Sequence, residues 1–181
     1  MLAAALSLSA AGTILAADSD LGAAAAYCEQ TGGQVVKRAP YYNTNGPAAG
    51  WLRLAGERQF CKYTSSTDGS RIHILLQTLY TTRPTLAASA YYAQVPMTGS
   101  CMGNPASCYC TQLGGSDIFG GINLNGGGWV GDDSPDTVLE ACILPDMSTI
   151  DSWGLLYYAN GIIRGIDLTT VMRYTAPEAK K

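Results

Sequence analysis

The sequence predicts an α+β fold built as two tandem disulfide-stapled units, each one helix packed on a small antiparallel sheet. Three observations carry that expectation. The first is an internal repeat: AAAYCEQTGG at Ala24–Gly33 and PASCYCTQLGG at Pro105–Gly115 align so that Tyr27-Cys28 meets Tyr109-Cys110 and Gly32-Gly33 meets Gly114-Gly115. The second is spacing, because the next Cys follows 33 residues later in the first copy (Cys61) and 32 later in the second (Cys142). The third is an ungapped match of SRIHILLQTLY (Ser70–Tyr80) to STIDSWGLLYY (Ser148–Tyr158), in which Asp68-Gly69-Ser70 corresponds to Asp146-Met147-Ser148. The expected organisation is a signal-like apolar segment at 1–17, repeat units at 18–96 and 97–175, and a polar tail at 176–181.

Taken in order, Leu2–Ala17 is an apolar run of small residues with the length of a secretory signal core, and Leu15 and Ala17 bracket a cleavage position before Asp18. No Lys or Arg precedes it, and an uncleaved, ordered N-terminal segment is the alternative. The run is short and weakly apolar for a membrane span. The first helix is expected from Asp18–Asp20 to Gly32. The second should start at Asn104 as N-cap, with Pro105 at the first helical position, and stop at a left-handed Gly114. Alternating and β-branched runs predict strands at Gln34–Lys37, Arg58–Tyr63 and Arg71–Thr81, then at Val138–Leu144 and Thr149–Ala159. Asn160-Gly161 predicts a type I′ turn into a strand over Ile162–Tyr174, with Leu86–Val95 the matching return strand of the first copy.

Units of this size bury little apolar surface and need staples. Of the fifteen pairings open to six Cys, the repeat selects Cys28–Cys61 and Cys110–Cys142, each tying a helix to its sheet. That leaves Cys101–Cys108 as a clip at the start of the second helix. The long closures should each contribute about 3–4 kcal/mol, and the clip about 2.5 kcal/mol. A metal or redox site at Cys108-Tyr109-Cys110 is the alternative use of that pair. An even Cys count with no CxxC suits an oxidising compartment.

AAAYCEQTGG and NPASCYCTQLGG, each followed by a Cys and an Asp-x-Ser step before an aromatic strand, resemble a domain of unknown function found in secreted bacterial proteins. That family typically begins Asn-Pro-Ala-Ser-x-Tyr-Cys, continues to Gly-Gly, and often carries a haemolysin label. The resemblance is close for Asn104–Gly115 and weaker for the first copy. The family's second pair of Cys, flanking its Trp strand, is absent; Trp153 stands near that place in the second copy and Leu75 in the first. The resemblance implies an envelope or extracellular location in Gram-negative bacteria, and transfers no catalytic residue.

Composition narrows the function classes. Charged residues make up 14% of the chain against 47% hydrophobic, the net charge is −3, and no basic run exists to track phosphates, which excludes nucleic acid as a partner. One His rules out zinc sites that need two imidazoles. That residue, His73, lies on the strand face opposite Ile72 and Ile74, aligns with Asp151, and is expected to face solvent. With no Gly-x-Ser-x-Gly elbow, no catalytic residue, cofactor or metal is expected. The loop GGGWVGDDSPD, Gly126–Asp136, reads as a solvated surface loop or a calcium site. The pairs Tyr41-Tyr42, Tyr91-Tyr92 and Tyr157-Tyr158 read equally as contact anchors and as cross-strand packing.

Charge divides unevenly between the halves: seven basic and five acidic residues at 18–96, four and nine at 97–181. Opposite fields on related surfaces favour docking within a chain or head-to-tail contact, and neutral drift after duplication is the alternative. The candidate interface sets Asp132, Asp133 and Asp136 against the basic rim Lys37, Arg38, Arg53 and Arg58 of a neighbouring copy. The expected function is a non-catalytic secreted or envelope protein-binding module, such as a subunit of a cell-envelope or extracellular assembly. Its expected partner is another protein or itself, with no stable membrane span. The alternative is a secreted inhibitor or haemolysin-like effector acting on a foreign enzyme or membrane.

Overall fold

The helix Ala11–Gln30 (α1) ends in a pattern that explains the Cys-x-x-x-Gly-Gly spacing. Gly32 takes the left-handed position at φ 87° and donates to the Glu29 carbonyl, and Gly33 donates to the Cys28 carbonyl at 2.8 Å. The second copy repeats this after Pro105–Gln112 (α4), with Gly114 donating to Thr111 and Gly115 to Cys110 at 2.9 Å. Both ends are Schellman caps. The second Gly has a separate duty: a Cβ on Gly115 would lie 2.6 Å from the Cys142 sulfur and 2.9 Å from that of Cys110, and a Cβ on Gly33 would meet both sulfurs of Cys28–Cys61. The disulfides are Cys28–Cys61, Cys110–Cys142 and Cys101–Cys108, the pairing the repeat selects. Asn104 caps α4 through the Ala106 N–H at 2.9 Å with Pro105 at its first turn, as its sequence requires.

The computed structural model describes residues 11–117, 126–131 and 137–177. Within them the strands are Gln34–Tyr42 (β1), Leu52–Arg53 (β2), Arg58–Thr64 (β3), Arg71–Leu75 (β4), Gly127–Val130 (β5), Val138–Leu139 (β6), Ala141–Ile143 (β7) and Thr149–Asp151 (β8). The remaining helices are Leu76–Tyr80 (α2), Leu86–Ala93 (α3) and Ser152–Ala159 (α5), with a 3-10 turn at Leu168–Thr170. All pairings between strands are antiparallel, in the order β6-β5-β1-β3-β4-β8-β7, and β2 adds to the far end of β1. The two ends of that order, β6 and β7, are separated in the chain by Glu140 alone. One bent stretch therefore pairs with β5 through Leu139↔Trp129 and with β8 through Ala141↔Asp151, which draws the sheet into a nearly closed barrel.

This overturns the expected α+β fold of two tandem helix-on-sheet units. Repeat-related segments do occupy matching elements, but they share one sheet, and each half finishes on the other. Strands β4 and β8, aligned in the repeat, pair through Ile74↔Ile150, which sets His73 beside Asp151. The Ser148 hydroxyl of the second copy accepts from Ala87 of the first at 2.9 Å, and the Ser70 hydroxyl of the first accepts from Gly165 of the second at 3.1 Å. Tyr91 of α3 stacks on Tyr158 of α5 at 3.8 Å, while Arg173 N–H donates to the Leu79 carbonyl of α2 at 3.0 Å.

The expected return strands are also corrected. Leu86–Ala93 is helical because its first three N–H groups find caps: Asp146, Ser148 and Thr85 accept from Leu86, Ala87 and Ala88. Thr149–Ala159 divides into β8 and α5, and Arg71–Thr81 into β4 and α2, in each case where a strand turns directly into a helix. Asn160-Gly161 is no hairpin turn. It ends α5 in another Schellman cap, Gly161 donating to Tyr158 and Ile162 to Tyr157, and Leu168–Thr170 is the regular structure that follows.

Alternation along the strands separates two cores. The outer face, with Cys61, Tyr63, Ile72, Ile74, Cys142 and Ile150, lies under the helices. The inner face holds a smaller apolar cluster of Val36, Phe60, Leu75, Trp129, Leu139 and Ala141. The Asp-x-Ser step is the same turn twice: Ser70 N–H donates to Asp68 at 3.0 Å and Ser148 N–H to Asp146 at 3.1 Å, with Gly69 at φ 70° and Met147 at φ 66°. A side chain at Met147 pays the left-handed penalty that Gly69 avoids. Met147→Gly should therefore raise stability by about 1 kcal/mol, readable as a higher urea midpoint; an unchanged or lower midpoint would speak against the strain.

Candidate functional site

Below the apolar cluster the barrel interior turns polar. Position parity puts Arg38, His73 and Asp151 on the inner face, and they are 1%, 2% and 4% exposed. Arg38 donates from Nη1 to the Trp129 carbonyl at 3.1 Å, and its Nη2 lies 3.3 Å from His73 Nε2. A guanidinium can only donate, so Nε2 accepts and the imidazole proton sits on Nδ1. Nδ1 faces Asp151 Oδ2 at 3.7 Å. The same Oδ2 accepts the His73 backbone N–H at 2.7 Å, while Oδ1 caps α5 through Gly154 N–H. One buried carboxylate thus fixes a strand, starts a helix and balances the charge beneath it.

The expectation that His73 faces solvent is wrong for a physical reason. Alternation separates it correctly from Ile72 and Ile74, but closure of the sheet turns that face into the barrel interior. The arrangement also lacks the hand-off of a Ser-His-Asp triad, since Arg38 occupies the imidazole nitrogen that would take a nucleophile's proton. Ser152, next to Asp151, is buried and stands outside the lining of the cleft described next.

Over this floor opens a cleft of about 550 Å³ at the end of the barrel where β4 begins and β8 ends. Arg71, His73, Val138, Leu139, Glu140, Asp151, Trp153, Tyr157 and Arg164 line it. Trp153 and Tyr157, one turn apart on α5, form an aromatic wall with ring centroids 5.9 Å apart. The Arg164 guanidinium lies over the Tyr157 ring at 5.2 Å. Glu140, the residue at the barrel seam, accepts from Asn104 Nδ2 at 2.6 Å and from Trp153 Nε1 at 3.0 Å. The second-copy helix cap, the seam and the aromatic wall therefore meet at one carboxyl group.

Burial raises the Glu140 pKa above the usual carboxylate value, and the charges of Asp117 and Asp151 add to this, against the two hydrogen bonds. With its folded value above the unfolded one, Glu140 takes stability away as pH rises through that interval, and the loss is complete above it. Glu140→Gln keeps an acceptor for Asn104 and Trp153 without the charge. The variant should gain on the wild type as pH rises from 4 to 7 in urea unfolding. A difference independent of pH would contradict the assignment.

The remaining sequence-derived residues divide. Lys37 and Arg53 are exposed, and Arg53 pairs with Glu57 at 3.9 Å. Arg58 is half-buried, 5.3 Å over the Trp129 ring. Arg38 is enclosed in the barrel rather than on a rim. Asp132, Asp133 and Asp136, and with them the calcium alternative, lie outside the described residues. Cys108 and Cys110 are in separate disulfides, so neither is a thiol for metal or redox chemistry. Sequence reasoning missed the grouping of Arg38, Glu140, Asp151, Trp153 and Arg164. The usable signal was the repeat itself: when two related strands pair antiparallel, aligned positions meet near their axis, and His73 aligns with Asp151.

Among the described residues no group of three or more His, Cys, Asp or Glu is placed to hold a metal ion, and no helix is long and apolar enough to cross a membrane. No family model, curated protein or solved structure matches the chain.

Proposed function

We propose that this protein is a non-catalytic binding module of the cell envelope or extracellular space, and that it takes its protein partner at the mouth of the barrel. One observation carries the reading: the acids of the floor are committed inward while the mouth presents aromatic and arginine side chains. Both Asp151 oxygens accept backbone N–H groups, and Glu140 is held by Asn104 and Trp153. Groups engaged in this way hold structure and are poor candidates for proton transfer. Trp, Tyr and Arg are the residue types that dominate binding energy when they line a pocket, and barrel mouths are common binding sites. Three disulfides suit an oxidising destination.

The test is site-specific photo-crosslinking in cells that make the protein. A photoreactive residue replaces Ile163, exposed and next to Arg164 in the chain, or Glu57, exposed just before β3 at the opposite end of the β3–β4 pair. Adducts of defined mass are expected from position 163 and not from 57, and they should disappear when Trp153 is changed to Ala. Equal adducts from both positions, or none from 163, would overturn the proposal.

A further inference from the structure

We infer that the barrel-mouth cleft receives an acidic side chain flanked by apolar residues on the partner protein, with Arg164 as the group that grips its carboxylate. This rests on the binding-module reading and gives its ligand a chemistry. Arg164 is half-buried, lines the cleft, and has its Cζ over the Tyr157 ring, 5.2 Å from the centroid. A guanidinium presents a planar fork of N–H donors, and a carboxylate is the anion whose two oxygens match that fork. Arg71 lines the same cleft.

The acids that share the cleft with Arg164 are held by other groups. Asp151 has each oxygen on a backbone N–H and lies against the His73 ring, below the opening. Glu140 is turned to Asn104 and to the indole N–H of Trp153.

The surroundings select a protein segment over a small free anion. Arg164 is preceded by Ile162 and Ile163, which are 49% and 53% exposed, and the aromatic wall of Trp153 and Tyr157 borders the same cleft. A carboxylate presented between apolar side chains would satisfy the cation and cover this rim together. An inorganic anion would leave the rim in water.

The experiment titrates isotope-labelled protein with Ac-Leu-Glu-Leu-NH₂, Ac-Leu-Gln-Leu-NH₂ and glucuronate at low salt, following the Trp153 indole N–H and the Arg164 side-chain N–H by NMR. Saturable shifts are expected with the Glu peptide. Binding should be at least about tenfold weaker with the Gln peptide and with Arg164→Gln protein, the range of a charge-assisted hydrogen bond. Arg164→Lys, which keeps the charge and loses the fork, should fall between. Spectral dispersion equal to wild type confirms that each variant is folded. Equal shifts from the Glu and Gln peptides, response to glucuronate alone, or unchanged binding by Arg164→Gln would overturn the inference. If the peptides fail while the Ile163 crosslink persists, the mouth still binds a partner and only its acidic chemistry is refuted.

Discussion

Replacing Asp151 by alanine should cost about 3–5 kcal/mol of folding stability, the range for removing one partner of a buried charge pair. The loss has three parts at one position: the His73 N–H loses its acceptor, Gly154 at the start of α5 loses its cap, and the buried Arg38–His73 pair loses the carboxylate beside it. Each is deeply enclosed, so water cannot replace the carboxylate cheaply. Asp151→Asn keeps one carbonyl oxygen for one of the two N–H groups and should lose roughly 1–3 kcal/mol. Urea unfolding at neutral pH reads both, and a loss below about 1 kcal/mol for the alanine variant would mean that the floor network is not a structural unit.

Removing either long staple is the other large effect. Cys28→Ala with Cys61→Ala opens a closure of 33 residues, and Cys110→Ala with Cys142→Ala one of 32. Each pair should cost about 3–4 kcal/mol from loop-closure entropy. Because both staples pin their helices to one shared sheet, either double variant should lower a single cooperative transition. In two tandem units the same change would split unfolding into two steps, one of them untouched. Seeing the split would refute the shared barrel.

The repeat made the staples and helix ends legible, because they depend on local spacing: Cys at the third position from a helix end, left-handed Gly at C′, and a Cβ-free Gly against the disulfide. The barrel was not legible. Its closure depends on Val138–Leu139 and Ala141–Ile143, strands of two and three residues that no periodicity can resolve, bent at Glu140. The helix at Leu86–Ala93 was missed because two of its caps, Asp146 and Ser148, lie some 60 residues away in the other half. Asn160-Gly161 carries the same residues as a hairpin turn, and only the helix before it turns the pair into a cap. At His73 alternation identified the face and could not say what covered it. The cleft was invisible for the same reason, since its residues come from β4, the barrel seam, α5 and the segment after it.

Those pieces meet only if the sheet closes and buries a polar floor beneath the mouth. His73 is the single His of the chain, which makes it an unambiguous reporter. The most direct measurement is the rate at which diethyl pyrocarbonate modifies its imidazole in the native disulfide-bonded protein. A ring 2% exposed, with Nε2 on Arg38 and Nδ1 toward Asp151, should be protected by at least about a hundredfold relative to the urea-unfolded chain, as expected when reaction requires opening of a buried site. Modification of the native protein at the unfolded rate would place His73 on an open, solvent-facing sheet and contradict the barrel and the cleft above it.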